Sequence, residues 1–285
     1  MASIDEALAT EALESAQVAA ALELSTEAGW NQTAEDWRIF LAHGRVIGVF
    51  AAGRRLVATA AILPYAAFGY IAMVLVTKTF RHRGIATRLM RDAVAALRAQ
   101  GRVPVLDATP AGAAVYRPLG FRELFSMQRW QGEGGQDGRG EGGTARSAAP
   151  RQATAADVPM LTGLDAEAFG APRPFLVKNF LARLGTRAFV GDGGFVVRRS
   201  GLRADQIGPL VARDEASAAN LLAAALDAAP GPVFIDLLDG RDDLTRMLLR
   251  RGFEIQRPFT RMALARSAPF GDPARLFAAA GPEFG

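Results

Sequence analysis

Between Val74 and Met90 the chain passes from an apolar run, through a turn rich in arginine and centred on Gly84, straight into an amphipathic segment. Ile85, Leu89, Ala93 and Leu97 recur at every fourth position with Ala86, Met90 and Val94 beside them, while Arg88, Arg91, Asp92 and Arg98 fall on the other side. This spacing predicts a helix with one packed stripe and one solvated stripe. The first N–H groups of a helix have no partner within it, so the turn Arg81–Thr87 aims several donors at an anion, helped by the helix dipole. Gly84 lets the backbone approach a ligand that a Cβ would exclude. Taken alone, the same turn also suits an ordinary strand-to-helix connection with solvated arginines.

The turn has neither the Gly-x-x-x-x-Gly-Lys-Ser/Thr pattern nor a Gly-x-Gly-x-x-Gly followed by a distant acidic residue, which disfavours a nucleoside triphosphate or NAD. The pattern Arg81-x-x-Gly84-x-Ala86 after a strand resembles the pyrophosphate loop of the GNAT superfamily of N-acyltransferases. A second match follows in order. Val103 to Asp107 reads as a buried strand, and the chain then runs through Ala108 to Tyr116, Gly120 and Phe121, similar to the family's strand, short helix and Tyr-x-x-x-Gly-Phe ending. Two motifs in this order, at the separation of a βαβ unit, are far more specific than either alone.

Composition sets outer bounds. A chain of 285 residues with 50% hydrophobic content can build one large or two medium cores. The absence of cysteine excludes a disulfide scaffold, zinc-thiolate sites and an acyl-cysteine intermediate. Net charge is only +4 although the sequence pI is near 10.1, because Lys78 and Lys178 are the only lysines among 33 basic residues. The arginines are scattered among Asp and Glu and form no basic stripe with interleaved aromatics, which argues against nucleic acid. No run reaches the roughly 18 apolar residues of a membrane span, and the acidic, alanine-rich start does not resemble a leader. A cytoplasmic protein with no membrane partner is expected.

Residues 131–150 contain seven glycines and no large apolar residue, reading as a flexible linker between residues 1–130 and 151–285. Before it, helices are expected at Asp5–Glu27 and Ala34–Ala42, and strands at Val46–Ala51, Leu56–Leu63 and Phe68–Val76. The helix after Gly84, the strand at Val103, a short helix at Ala113–Leu119 and a strand at Arg122–Trp130 complete the first half. The same order returns after the linker, with Gly252-Phe253 equivalent to Gly120-Phe121, which indicates a tandem repeat. The fold class is thus α/β with a mixed sheet (α+β in its segregation of strands), in two GNAT-like domains. Aligning the halves sets Asp214, Glu215 and Ala216 against the glycine turn and Leu248 against Tyr116. The second domain is therefore expected to bind no coenzyme A (CoA) and to be structural or acceptor-binding.

The resemblance implies direct attack of an amine on acetyl-CoA, with neither metal nor prosthetic group. It assigns the pantetheine arm to the backbone of Met73, Val74, Leu75 and Val76, and the pyrophosphate to Arg81, His82, Arg83, Gly84, Ile85, Ala86 and Thr87. It also makes Tyr116 the general acid, since a departing thiolate takes a proton and a phenol with pKa near ~10 is neutral at physiological pH. Asp107, at the end of its strand, is a candidate base, though an Asp before Thr-Pro also suits a turn cap. His82 and His43 do not read as bases. Trp30, Asn31 and Tyr70 are candidates for the acceptor wall, and Trp30 and Trp37 also suit packing of helix on sheet. Arg257 and Arg261 are expected on one face of a strand, with Phe259 on the opposite face, in reach of an anionic acceptor or simply solvated at an edge. The expected activity is acetyl transfer to a small-molecule primary amine. A non-catalytic acyl-CoA sensor and a protein-lysine acetyltransferase are the alternatives.

Overall fold

The computed structural model describes residues 8–135 and 149–285, and the chain divides into two compact units, Met1–Val105 and Leu106–Gly285. In the first unit the elements are β1 (Ala9–Ala12), α1 (Val18–Glu27), α2 (Ala34–His43), β2 (Arg45–Ala51), β3 (Arg55–Pro64), β4 (Phe68–Val76), α3 (Ile85–Ala99) and the start of β5 (Val103–Ala108). Strands β1 to β4 pair antiparallel in sequence order, and β4 pairs parallel with β5. α3 begins at Gly84, and its stripe Ile85, Leu89, Met90, Ala93 and Leu97 is buried as the fourfold spacing predicts. A Cβ on Gly69 of β4 would lie 2.0 Å from the Leu97 side chain, so that glycine is the notch into which the helix sinks its last leucine. Truncating so buried a leucine costs about 2–5 kcal/mol.

The helix expected from Asp5 to Glu27 is shorter. α1 starts at Val18, and Ala9–Ala12 form β1 instead, pairing with β2 from Ala9–Phe50 to Ala12–Ile47. Alanine and glutamate favour a helix, but the open edge of β2 offers a full set of backbone partners, and pairing wins over local propensity. Residues 1–7 lie outside the described chain.

The second unit contains α4 (Pro110–Tyr116), β6 (Phe121–Glu133), β7 (Arg151–Gln152), α5 (Val158–Phe169), α6 (Pro174–Ala182), β8 (Arg187–Gly191), β9 (Gly194–Arg199), β10 (Asp205–Val211), α7 (Glu215–Asp227), β11 (Pro232–Leu238), α8 (Asp242–Arg250), β12 (Glu254–Leu264) and β13 (Leu276–Ala278). The order β-α-α-β-β-β-α-β-α-β from β1 to β6 is thus repeated from β7 to β12, and β13 is extra. β6 lies between β12 and β11, pairing antiparallel with both. That placement explains why the compact units part at Val105 and Leu106, whereas composition suggests 131–150. Gln131, Gly132 and Glu133 belong to β6, and a Cβ on Gly132 would strike the Phe253 ring at 2.5 Å. Gly132 is a packing glycine, then, while residues 136–148 of the expected linker lie outside the described chain.

Below the sheet of this unit, Trp130, Val233, Ile235 and Leu237 pack with Leu221, Leu222 and Leu226 of α7 and with Leu244 and Leu248 of α8 into one core. Leu248, which replaces the phenol of Tyr116 in the repeat, is completely buried there.

Candidate active site

β4 carries one extra residue against β3. Thr59 pairs with Leu75 and Ala61 with Ala72, so three steps along β4 match two along β3. The bulge centres on Met73, whose φ is 53°, and its carbonyl accepts a hydrogen bond from the buried Thr59 hydroxyl at 2.8 Å. Such a bulge re-aims the strand beyond it. On the other side the parallel ladder to β5 covers Phe68–Val103, Gly69–Pro104 and Tyr70–Val105. The re-aimed segment Val74–Val76 forms one wall of a cleft of about 490 Å³.

The other walls are the turn residues Phe80, Arg81, His82 and Gly84, the first helical residues Ile85, Ala86 and Thr87, and Ala28 with Trp30 from the end of α1. His82 (φ 63°) and Gly84 (φ 71°), on either side of Arg83, both adopt the left-handed conformation. As N-cap of α3, Gly84 has no side chain with which to cap the N–H groups of that first turn, and a Cβ built on it meets nothing within 4 Å. The space beside it is open where an anion would approach. Arg81 Nε donates to the Val76 carbonyl at 3.1 Å, and Arg83 donates to the Thr79 carbonyl at 3.2 Å with its guanidinium 4.7 Å from the Phe80 ring. Glu27 accepts from the Thr77 hydroxyl (2.6 Å) and the Lys78 N–H (2.8 Å), bonds that hold its carboxyl below the ordinary range.

Of the residues expected to hold a cofactor, the cleft brings together Val74, Leu75, Val76, Arg81, His82, Gly84, Ile85, Ala86 and Thr87. Met73 is buried with its carbonyl occupied, and Arg83 folds over Phe80, so neither lines it. Phe80 and Ala28 were not anticipated. Phe80 stands inside the turn itself, and its apolar side chain was the available signal.

The acceptor candidates separate. Trp30 lines the cleft, whereas Asn31 and Tyr70 are buried, at 6% and 0% exposure. Trp37 is core, donating from Nε1 to the Ser25 hydroxyl at 3.1 Å.

Tyr116 and Asp107 belong to the second unit. Thr109 caps α4 by accepting from the Gly112 N–H (3.2 Å), Pro110 opens the helix, and Tyr116 closes it with its ring 5.9 Å from that of Phe121. Burial pushes the Tyr116 phenol above its usual pKa. Asp107 is fully enclosed, and both its oxygens accept from Arg261, at 2.9 Å each.

The tail strand β12 also differs from expectation. Arg257 lies 4.9 Å from the Phe259 ring, so the two share a face, as strand alternation requires of residues two apart. Arg261 is buried against Asp107 and stacks on Phe125 at 4.9 Å, so it is not a solvated charge.

The second unit repeats the cleft's framework and closes it. β10 and β11 run parallel over Asp205–Val233, Gln206–Phe234 and Ile207–Ile235, then part. Between them lies β13, with Ala278 paired to both Leu210 and Leu237, and the Ala279 N–H donates to the Asp236 carbonyl at 3.0 Å. Arg241 secures this segment by donating to the carbonyls of Pro273 and Leu276 (3.1 Å for the latter) and stacking on Phe277 at 4.4 Å. At the start of α7, the Asp214 carboxylate caps the helix, accepting from the Ser217 N–H at 2.8 Å, and Arg213 bridges Asp192 and Asp214 at 2.6 and 3.0 Å.

Among the described residues no helix is long and apolar enough to cross a membrane.

Residues 9–121 match the model of the acetyltransferase (GNAT) family, and residues 161–278 match that of an acetyltransferase (GNAT) domain. No curated protein matches the chain in sequence. Among solved structures, a candidate acetyltransferase from Pyrococcus horikoshii superposes with a TM-score of 0.81 at 17% identity, over 100% of this chain and 98% of that one. A tandem GNAT protein from the clavulanic acid biosynthesis pathway gives 0.65 at 16% identity, over 90% and 98%. A GCN5-related N-acetyltransferase from Kribbella flavida gives 0.58 at 23% identity, over 92% and 72%. At these identities the likenesses establish the fold, and the two matched segments fall one in each half of the repeat. The chain is a tandem member of the GNAT acetyltransferase superfamily, whose activity is acyl transfer.

Proposed function

We propose that this protein transfers an acetyl group from acetyl-CoA to the primary amine of a small molecule, with the cofactor held in the cleft between Val74–Val76 and the start of α3. The observation that carries this reading is the open, left-handed Gly84 between an apolar bulged strand and an uncapped helix start. Backbone groups of Val74, Leu75 and Val76 would bind the pantetheine arm, with Trp30 and Phe80 against its apolar parts. Backbone N–H groups from His82 to Thr87 would bind the pyrophosphate, with Arg81 adding charge. Once bound, acetyl-CoA supplies an activated thioester and a thiol leaving group.

Tyr116 acts as general acid, keeping its proton at Oη until it passes to the departing sulfur; its raised pKa supports that state at neutral pH. The acceptor reacts as the free amine, having lost its proton to solvent. Asp107 is better suited to fixing β12 through Arg261 than to receiving that proton, because a base must have a lone pair within reach of the substrate. The domain roles follow: the first three of the intervening residues 131–150 belong to β6, while residues 1–130 catalyse and 151–285 bind no cofactor. The capped α7 and the strand β13 between β10 and β11 support the last part.

The test is release of free thiol from acetyl-CoA in the presence of amino acids, polyamines, aminoglycosides and lysine peptides. Release with one class of small amine, reduced about a hundredfold or more in Tyr116→Phe with cofactor affinity retained, is expected. Turnover unchanged in Tyr116→Phe removes the acid. Preference for peptides points to a protein acetyltransferase. Binding without turnover on any amine leaves an acyl-CoA sensor.

A further inference from the structure

α1 ends at Glu27, and the residues after it fold back on the helix. The Gly29 N–H (φ 73°) donates to the Thr26 carbonyl and the Trp30 N–H to the Ser25 carbonyl, at 2.9 Å each. These are the paired bonds of a Schellman motif closed by a left-handed glycine. Ala28 and Trp30, one wall of the cleft, are thus fixed to the last turn of α1 and so to Glu27.

The other wall is also tied within itself. The Thr77 N–H donates to the Val57 carbonyl of β3 at 2.9 Å, continuing the strand pairing past Val76, and the Phe80 N–H donates to the Thr77 carbonyl at 3.0 Å. Arg81 closes the turn through its Nε on the Val76 carbonyl. Val76, Phe80 and Arg81 line the cleft, whereas Thr77 and Lys78 stand behind them in the turn.

Glu27 joins the two walls. One of its carboxylate oxygens accepts from the Thr77 hydroxyl at 2.6 Å and the other from the Lys78 N–H at 2.8 Å, so both are committed to the turn. Those two bonds first, and then the charges of Lys78 and Arg81, hold the carboxyl below its ordinary pKa, with desolvation acting against them. Bonds to an ionised acceptor are about twice as strong as neutral ones. The side chain is exposed and does not line the cleft. An anion at the carboxy-terminal end of a helix opposes the helix dipole, so the stability of α1 does not account for a glutamate there.

We propose that Glu27 is a positioning residue for the cofactor, a clamp that sets the spacing between the Ala28–Trp30 wall and the Val76–Arg81 wall. The inference rests on the reading of this cleft as the acetyl-CoA site. A pantetheine arm held by backbone groups on one wall and apolar contact on the other loses one of the two when the walls part, and Glu27 acts on affinity without touching the ligand.

The experiment is calorimetric titration of the full chain with CoA, for the wild type, Glu27→Ala, Glu27→Gln, Thr77→Val and the double variant Glu27→Ala/Thr77→Val, beside thermal melts and tryptophan emission without ligand. CoA is expected to bind Glu27→Ala about tenfold more weakly than the wild type, and Glu27→Gln in between, since its amide keeps one acceptor oxygen. Thr77→Val should weaken binding on its own and add nothing once Glu27 is absent, as partners in one bond require. Emission of free Glu27→Ala should shift to the red, because Trp30 is freed towards solvent while Trp37 and Trp130 stay buried. CoA affinity of Glu27→Ala within about twofold of the wild type, whether or not the melting temperature falls, would reduce Glu27 to a surface contact and overturn the proposal. Full additivity of the two substitutions or an unmoved emission would do the same. A wild type that binds no CoA removes the cofactor reading and this inference together, whereas wild-type binding that is indifferent to Glu27 removes the clamp alone.

Discussion

For Tyr116, the proposed general acid, burial sets the range of pH over which the phenol keeps its proton. A phenol that must give up a proton fails as pH passes its pKa, and burial moves that point above the usual value of about 10. The free amine fraction grows over the same range. The profile of kcat against pH for a small primary amine is therefore expected to rise from neutrality without a descending limb below pH ~10. A limb near pH ~8 would assign the acid to another group. The places of Tyr116 and Gly84, at the end of α4 and the start of α3, were legible in sequence because each falls at a marked motif position. Trp30 and Trp37 were less so, since both flank the same polar stretch. The helical spacing of Trp37 and Phe40 already marks Trp37 as core, and both are completely buried. Tyr70 could not be placed from alternation, because Phe68–Met73 is buried on both faces. Arg257 and Phe259 are a simpler case, since residues two apart in a strand must share a face.

α3 and α7 occupy the same place in the repeat and differ in what meets their first N–H groups. Gly84 leaves the start of α3 without a side-chain cap, whereas Asp214 supplies a carboxylate to α7, and the bond to Ser217 N–H holds that carboxyl below its ordinary pKa. Replacing Asp214 by Ala is expected to destabilise the second unit by about 1 kcal/mol, as for other N-caps. It should not create cofactor binding, because β13 still lies between β10 and β11. Denaturant melts and CoA titration of this variant check both outcomes, and new binding would show that the cap alone excludes the cofactor. The charge of Asp214 was readable in sequence, and β13 was not. Leu276–Ala278 is three residues within an alanine-rich stretch, and its strand conformation comes from the parted edges of β10 and β11. β1 was missed for the same reason, its four residues all being exposed and so showing no apolar alternation. Long helices with clear stripes, such as α3, state themselves in sequence; short strands are set by the edges they join.

At the scale of the whole chain, the repeat from β1–β6 to β7–β12 makes two frameworks of one design, with β13 between β10 and β11 in the second. One molecule of CoA per chain is expected by calorimetry. Saturating CoA at about 100 times Kd should stabilise the unit that binds it by about 2.7 kcal/mol and leave the intrinsic stability of the other unchanged. Two equivalents per chain, or equal protection of α3 and α7 in amide exchange, would contradict this. β13 gives the second framework an occupant of its own. Because Leu276–Ala278 is tied to the strands it pairs with, it competes for that gap at an effective concentration set by the chain, of the order of millimolar or more for a short tether. A metabolite free in solution meets no such advantage, and its supply can rise or fall without changing what fills the gap. On the proposed reading, occupancy of the first half would follow cofactor level, whereas the gap of the second would stay filled by its own chain across the same range.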